Sequence, residues 1–150
     1  MTKNEFPLTD EEFKTFYAKV PRLTVEILLR DDSGRVYLTK RSIEPCKGQW
    51  HLPGGTVWFG EALSGSLKVI AKRELGISVT ALRSVGHIEY PSHYKNGLDS
   101  PFGVVFEISD YQGQIVANQE AAAEDWFASL PNDMHVDQGK FLVDTKYLEA

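Results

Sequence analysis

Cysteine is almost missing from this chain: Cys46 is the only one. An internal disulfide is therefore excluded, and a reducing compartment is the expected setting. No apolar run approaches the roughly 18 residues that a membrane-spanning helix needs. The opening residues, MTKNEFPLTDEEF, are polar and acidic, unlike a secretory signal. Together these absences predict a cytoplasmic protein with no membrane partner. An excess of cations is missing too. The net charge of −5 argues against long nucleic acid as a partner, yet leaves room for a small phosphorylated ligand held by a few local cations. The four histidines (His51, His87, His93, His135) lack the spacing of a structural zinc site, so none is expected. Internal repeats, low-complexity tracts and linkers are also lacking.

What is present suits one domain spanning residues 1–150, with ordinary globular apolar (42%) and charged (25%) fractions. Residues 1–20 form an N-terminal helical extension. Its helix starts at Thr9 or Asp10 as the cap, is favoured by the acids that follow, and is stopped by Pro21. RLTVEILLR (22–30) reads as a buried strand with Leu23, Val25, Ile27 and Leu29 on one face. DDSG makes a turn into a returning hairpin strand at 35–41. A short extended piece (50–57) precedes helical spacing at 61–75, which Gly76 closes as a left-handed residue. A long strand at 78–90, bent at Gly86, leads to loop chemistry at 91–101. Strands at 102–108 and 124–129 and a closing helix at 137–149 complete the order. Helix, strands, helix, strands, helix predicts a mixed sheet between helices, an α/β (α+β) class.

One residue breaks two local rules. Leu63, Leu67 and Ile70 form an apolar stripe, and Glu74 lies in nearly the same direction eleven residues after Leu63. It also sits in the last turn, where the helix dipole disfavours a negative charge. Such breaks belong at functional sites. Glu61, in the first turn, is explained by helix stabilisation. The glycine pair in LPGG, just upstream, allows an ion or ligand to approach the backbone, and a carbonyl there is a hard oxygen donor.

The combination of Gly55, Glu61, Glu74, Gly76 and Ile77, at these spacings, resembles the Nudix box, here a loop-helix-loop over residues 54–77. LTKRS and GQWHLPGG before it, and EAAAEDWFASLP after it, resemble further habits of the Nudix hydrolase family, over roughly residues 21–131. The resemblance implies an α/β/α sandwich and a divalent-metal hydrolase of nucleoside diphosphates linked to another moiety. The box departs from the family pattern at Val69, Ile70 and Arg73, which stand where the family has arginine and two glutamates. Fewer carboxylates imply a single Mg²⁺ or Mn²⁺ ion, held by Glu74, Glu120 and the carbonyl of Gly54.

Similar losses occur in the GDP-mannose mannosyl hydrolases, which implies a nucleotide sugar as substrate. That likeness includes PRLTVEILL, with Glu26 at an acidic position, and KRSIEPCKGQWHLPGG, with Arg41 at a diphosphate-binding position. It stops at Thr56 and Val69, where that branch has arginines, and at its histidine base, which has no counterpart in NQEAAAEDW. The resemblance gives Glu74, Glu120 and Arg41 catalytic roles, with Glu120 as ligand or base and Glu124 in reserve. Substrate contacts are expected from Glu26, Arg41, Trp58, Tyr90 and Tyr94, with Phe59 nearby. Residues 91–101 would serve as a lid that brings His93 and Lys95 to phosphate. Relatives of this kind often pair, so a homodimer through the N-terminal helix is expected. Two other readings use the same residues: a module on this fold that binds a nucleotide without turning it over, and a hydrolase of ADP-ribose or of a nucleoside triphosphate.

Overall fold

The structure is a computed structural model and describes residues 6–150. Residues 1–5 of the predicted N-terminal extension lie outside the described residues. Helix α1 (Asp10–Tyr17) is capped by Thr9, whose side chain accepts from the Glu12 N–H while Glu12 accepts from the Thr9 N–H. This reciprocal pair settles the choice between Thr9 and Asp10. α1 buries no residue fully and is anchored by Phe13, whose ring meets Trp58 edge-on at 6.3 Å. Phe16 and Val20 stay half exposed. Thr9→Ala is expected to cost about 1 kcal/mol of helix stability. Amide exchange should therefore speed up across α1 and stay unchanged in the sheets.

Seven strands follow in two sheets. β1 (Arg22–Leu28), β4 (Gly54–Thr56), β5 (Ser78–Glu89) and β6 (Pro101–Gln112) form one, in the order β4-β1-β6-β5. Only the β1–β6 pair in it is parallel, so the sheet is mixed. β2 (Val36–Arg41), β3 (Trp50–His51) and β7 (Ala121–Phe127) form an antiparallel second sheet, in the order β3-β2-β7. The expected single mixed sheet is thus two sheets.

The predicted hairpin is corrected in the same way. Asp31 builds its turn by accepting from the Ser33 and Arg35 N–H groups, and Arg30 bridges to Val36. Beyond that bridge β1 and β2 part into different sheets.

β1 is buried on both sides. Val25 and Ile27 face helix α2 (Leu63–Leu75) and pack with its Leu67, Ile70, Ala71 and Leu75. Leu28 joins the opposite core beside helix α4 (Val136–Asp144), with Leu38, Leu52, Val105 and Leu142. Helices on both sides of the strands give the α/β/α layering expected from sequence. Leu23, placed on the buried face by alternation, is 40% exposed, because it lies where β1 is only entering the core.

Smaller differences have local causes. Residues 91–101 begin with one helical turn, α3 (Pro91–Tyr94), favoured by proline in its first turn. β7 starts three residues earlier than predicted, since its alanines pair with β2 whatever their own preference. Gly86, at φ 147°, bends β5 and admits the Phe141 ring.

Candidate active site

Two adjoining cavities open where α2, β1, β2 and β4 meet. The smaller holds about 110 Å³ and is lined by Arg41, His51, Gly54, Glu74, Asn118 and Glu120, among others. The larger holds about 510 Å³ and takes Glu26, Tyr90, His93, Asp99, His135 and Gln138 into its wall. Arg41, His51 and Gly54 border both.

Glu74 reaches the smaller cavity because its helix is closed from outside. Gly76 adopts φ 70°, and the chain then returns across the helix end: the Val116 N–H donates to the Leu75 carbonyl (2.9 Å) and the Asn118 N–H to the Glu74 carbonyl (3.0 Å). These bonds satisfy carbonyls that a helix leaves without partners. The Asn118 side-chain amide also donates to Glu74 Oε2, and Arg73 Nε donates to Oε1 at 3.0 Å. Two donors thus offset the unfavourable dipole at this carboxylate.

The other charged positions of the family pattern serve different ends. Ile70 is buried in the core and lies against Gly55, whose own Cβ, had it one, would come within 3.0 Å of Ile70 Cδ1. Arg73 pairs with Glu74 and lies over the Phe6 ring. Val69 is exposed. Glu61 accepts from the Trp58 N–H (2.8 Å) and the Ser66 hydroxyl (3.1 Å), which explains it as a helix-start residue.

Gly54 presents its carbonyl by register. The Ile27 N–H donates to Pro53 O and the Val57 N–H to Leu23 O, so the Glu26–Gly54 pair between them is a non-bonded pair of the ladder. β4 is an edge strand, and the Gly54 carbonyl faces away from β1. A side chain is impossible there, because a Cβ would overlap the Glu26 carboxylate and the Val25 carbonyl. Glu120 stands at the rim of the smaller cavity. Its N–H donates to Asn118 Oδ1 at 3.0 Å, its carbonyl accepts from Ser42, and among the described residues its carboxylate accepts no hydrogen bond. Arg41 donates through Nε to Pro45 O (2.7 Å).

The substrate candidates divide. Glu26 and Tyr90 line the larger cavity. Trp58 and Tyr94 line neither cavity. Trp58 packs with Phe6 and Phe13, and Tyr94 is half exposed on α3. Phe59 is fully exposed. Glu124 is engaged by the Tyr37 hydroxyl and the Ala117 N–H and lines neither cavity. His93 is turned inward rather than carried on a lid.

Glu26 is the most perturbed acid. Its Oε1 accepts from the Thr24 hydroxyl (2.8 Å) and the Tyr90 hydroxyl (2.9 Å), and Tyr90 accepts in turn from Gln138. Burial pushes its pKa up to about 7, against the lowering effect of those two bonds. His51 is missed by sequence reasoning. Burial lowers its pKa to about 4, and its Nδ1–H donates to the Leu52 carbonyl (2.8 Å), so the neutral ring keeps Nε2 as an acceptor. Asn118 is missed as well, since amides in a loop carry no signal of their own. The four histidines show no ligand spacing along the chain, yet in the fold His93 and His135 hydrogen-bond through their Nε2 atoms at 2.9 Å, beside Cys46. Sequence spacing could not show this, because each arrives on a separate element.

A profile of the NUDIX domain matches residues 20–144. The chain belongs to the Nudix family. A curated relative, the low-salt glycan biosynthesis protein Agl8 of Haloferax volcanii, is 35% identical over 106 residues, covering 68% of this chain and 67% of that protein. Among solved structures, the MutT Nudix hydrolase of Burkholderia pseudomallei superposes with a TM-score of 0.76 at 24% identity, over 85% of this chain and 98% of that one. The Nudix domain of Shewanella oneidensis NrtR, solved with ADP-ribose, gives a TM-score of 0.65 at 19% identity, over 93% of this chain and 97% of that one. The protein is therefore a Nudix hydrolase, of a family that acts on nucleoside diphosphate derivatives with divalent metal ions. Among the described residues, no helix is long and apolar enough to cross a membrane.

Proposed function

We propose that this Nudix hydrolase cleaves a nucleotide sugar of the GDP-mannose type with a single Mg²⁺ ion. The observation that carries the reading is the sharing of Arg41, His51 and Gly54 between the two cavities. A diphosphate lying along that border would have its charge met at the small cavity and its uncharged end received by the large one. The donor set suits a hard cation: the Glu74 and Glu120 carboxylates and the Gly54 carbonyl are all oxygens. Bound there, Mg²⁺ supplies Lewis-acid polarisation of phosphate oxygens and relief of charge on the leaving group.

The chain's own residues do the rest. Arg41 is oriented by its Nε bond to Pro45 and offers both terminal nitrogens to the diphosphate. Glu120, with its carboxylate at the rim, takes the proton of the attacking water. Glu26, Tyr90 and Gln138 form a connected hydrogen-bonding wall for hydroxyl groups. Arg22 donates to Thr56 Oγ1 (2.9 Å) at the same cavity. The relative named for glycan biosynthesis also favours a sugar. Pairing through α1 belongs to the same reading, with half-exposed Phe16 and Val20 at the contact. Sedimentation should then give a dimer that a charged residue at Phe16 dissociates.

The test is turnover with Mg²⁺ across GDP-mannose, other nucleotide sugars, ADP-ribose and nucleoside triphosphates, with products identified in ¹⁸O-labelled water. Nucleotide sugars are expected to be preferred, and the labelled fragment reveals attack at carbon or at phosphorus. Preference for ADP-ribose or a triphosphate, with nucleotide sugars left intact, would overturn the assignment.

A further inference from the structure

Three segments converge on the wall of the larger cavity. Cys46 comes from the loop between β2 and β3, His93 from α3, and His135 from the start of α4. Cys46 Sγ lies 3.9 Å from His93 Nε2, the two Nε2 atoms are 2.9 Å apart, and all three donor atoms fall within 4.8 Å of one another. The hydrogen-bond pattern defines where the ring protons are. His135 Nδ1 accepts from the N–H groups of Asp137 (3.2 Å) and Gln138 (3.5 Å), which puts the proton of that ring on Nε2. His93 Nδ1 donates to Asp99 Oδ1 at 2.9 Å, so its Nε2 lone pair points into the cluster. Asp99 is itself fixed by Arg22 Nε at 2.8 Å.

A carboxylate behind the imidazole is how proteins orient a metal-binding histidine. Tetrahedral bonds of roughly 2.0 Å to nitrogen and 2.3 Å to sulfur hold such donor atoms about 3.3–3.6 Å apart. That separation falls between the 2.9 Å and 3.9 Å seen here, and the sulfur, within 4.8 Å of His135 Nε2, would draw in by up to about 1 Å to complete the set. A thiolate and two imidazoles select a thiophilic ion over Mg²⁺. The all-oxygen set at Glu74 is the opposite kind.

We propose that Cys46, His93 and His135 form a second metal site, one for Zn²⁺ or a similar thiophilic divalent ion. Three protein donors leave the fourth position open to the larger cavity, for water or a ligand oxygen. Binding sends the Cys46 thiol proton to solvent. The proton between the rings moves to His135 Nδ1, which gives up its two long contacts with the start of α4. The site does not depend on which nucleotide the protein hydrolyses.

Co²⁺ titration of the full chain tests it. A thiolate-to-cobalt charge-transfer band is expected, saturating at a single ion per chain and abolished when Zn²⁺ is added. Cys46→Ser should remove the band, His93→Asn should weaken it severalfold or more, and Glu74→Gln should keep it. Circular dichroism shows whether each variant is folded. Should His93→Asn fail to fold, His135→Asn decides in its place and is expected to weaken the band as strongly, since Cys46 is the chain's only thiol and Cys46→Ser shows only that the sulfur is a ligand. No band in the wild type, or a full band in a folded histidine variant, overturns the site and leaves only a hydrogen-bonded histidine pair.

Discussion

Glu74→Gln is expected to lower Mg²⁺-dependent turnover by more than the roughly 10- to 100-fold that loss of an outer-shell partner costs. The amide keeps the size of the side chain and removes the charge that would hold the ion. It also changes the hydrogen bonding. Arg73 and Asn118 both donate to the carboxylate, and a glutamine can accept from only one side. One donor is left facing an NH₂ group, so a small loss of stability accompanies the loss of activity. Steady-state rates at saturating Mg²⁺, with unfolding curves of the same preparations, separate the two effects. A variant that stays folded and turns over within a few-fold of the wild type would remove Glu74 from the metal site.

Glu26→Gln should stabilise the protein at alkaline pH and do little in acid. In the folded protein, burial raises the carboxyl to about 7 from an ordinary 4.5. The penalty is absent below the unfolded value, grows as pH climbs from 4.5, and is complete above 7. At about 1.4 kcal/mol per pKa unit, this difference amounts to about 3 kcal/mol. Glutamine escapes the penalty and still accepts from Thr24 and Tyr90. His51 and His135, both lowered to about 4 by burial first of all, weaken the fold in acid, but equally in both proteins, so they cancel in the comparison. Denaturant unfolding in EDTA at pH 5 and pH 8 checks the sign: the gain from Glu26→Gln must be larger at pH 8. A gain independent of pH would mean that Glu26 is already charged at pH 5 or never becomes so.

The small cavity was largely legible in the sequence, and the large one was not. Gly54 and Glu74 are tied by box spacing across one loop and one helix, and Arg41 and Glu120 follow from the strands beside them. A side chain such as Trp58 reveals its type but not its direction, and here it turns to the N-terminal helix. Cys46, His93 and His135 are 47 and 42 residues apart along the chain; the packing of α3 against α4 brings the two histidines together, and the β2–β3 loop carries Cys46 to them. Glu26 left a trace that pairwise reading overlooks. Its cross-strand neighbour is Gly54, and Gly103 in β6 has room for no side chain beside the same carboxylate.

The return of residues 116–118 across the end of α2 has a mechanical consequence. Because Asn118 holds the backbone and side chain of Glu74 and also the Glu120 N–H, the backbone segments that carry the two acids are tied together through one residue. On the proposed reading, an ion held there would meet a Glu74 carboxylate that is already oriented, and its capture would have chiefly the Glu120 side chain left to order.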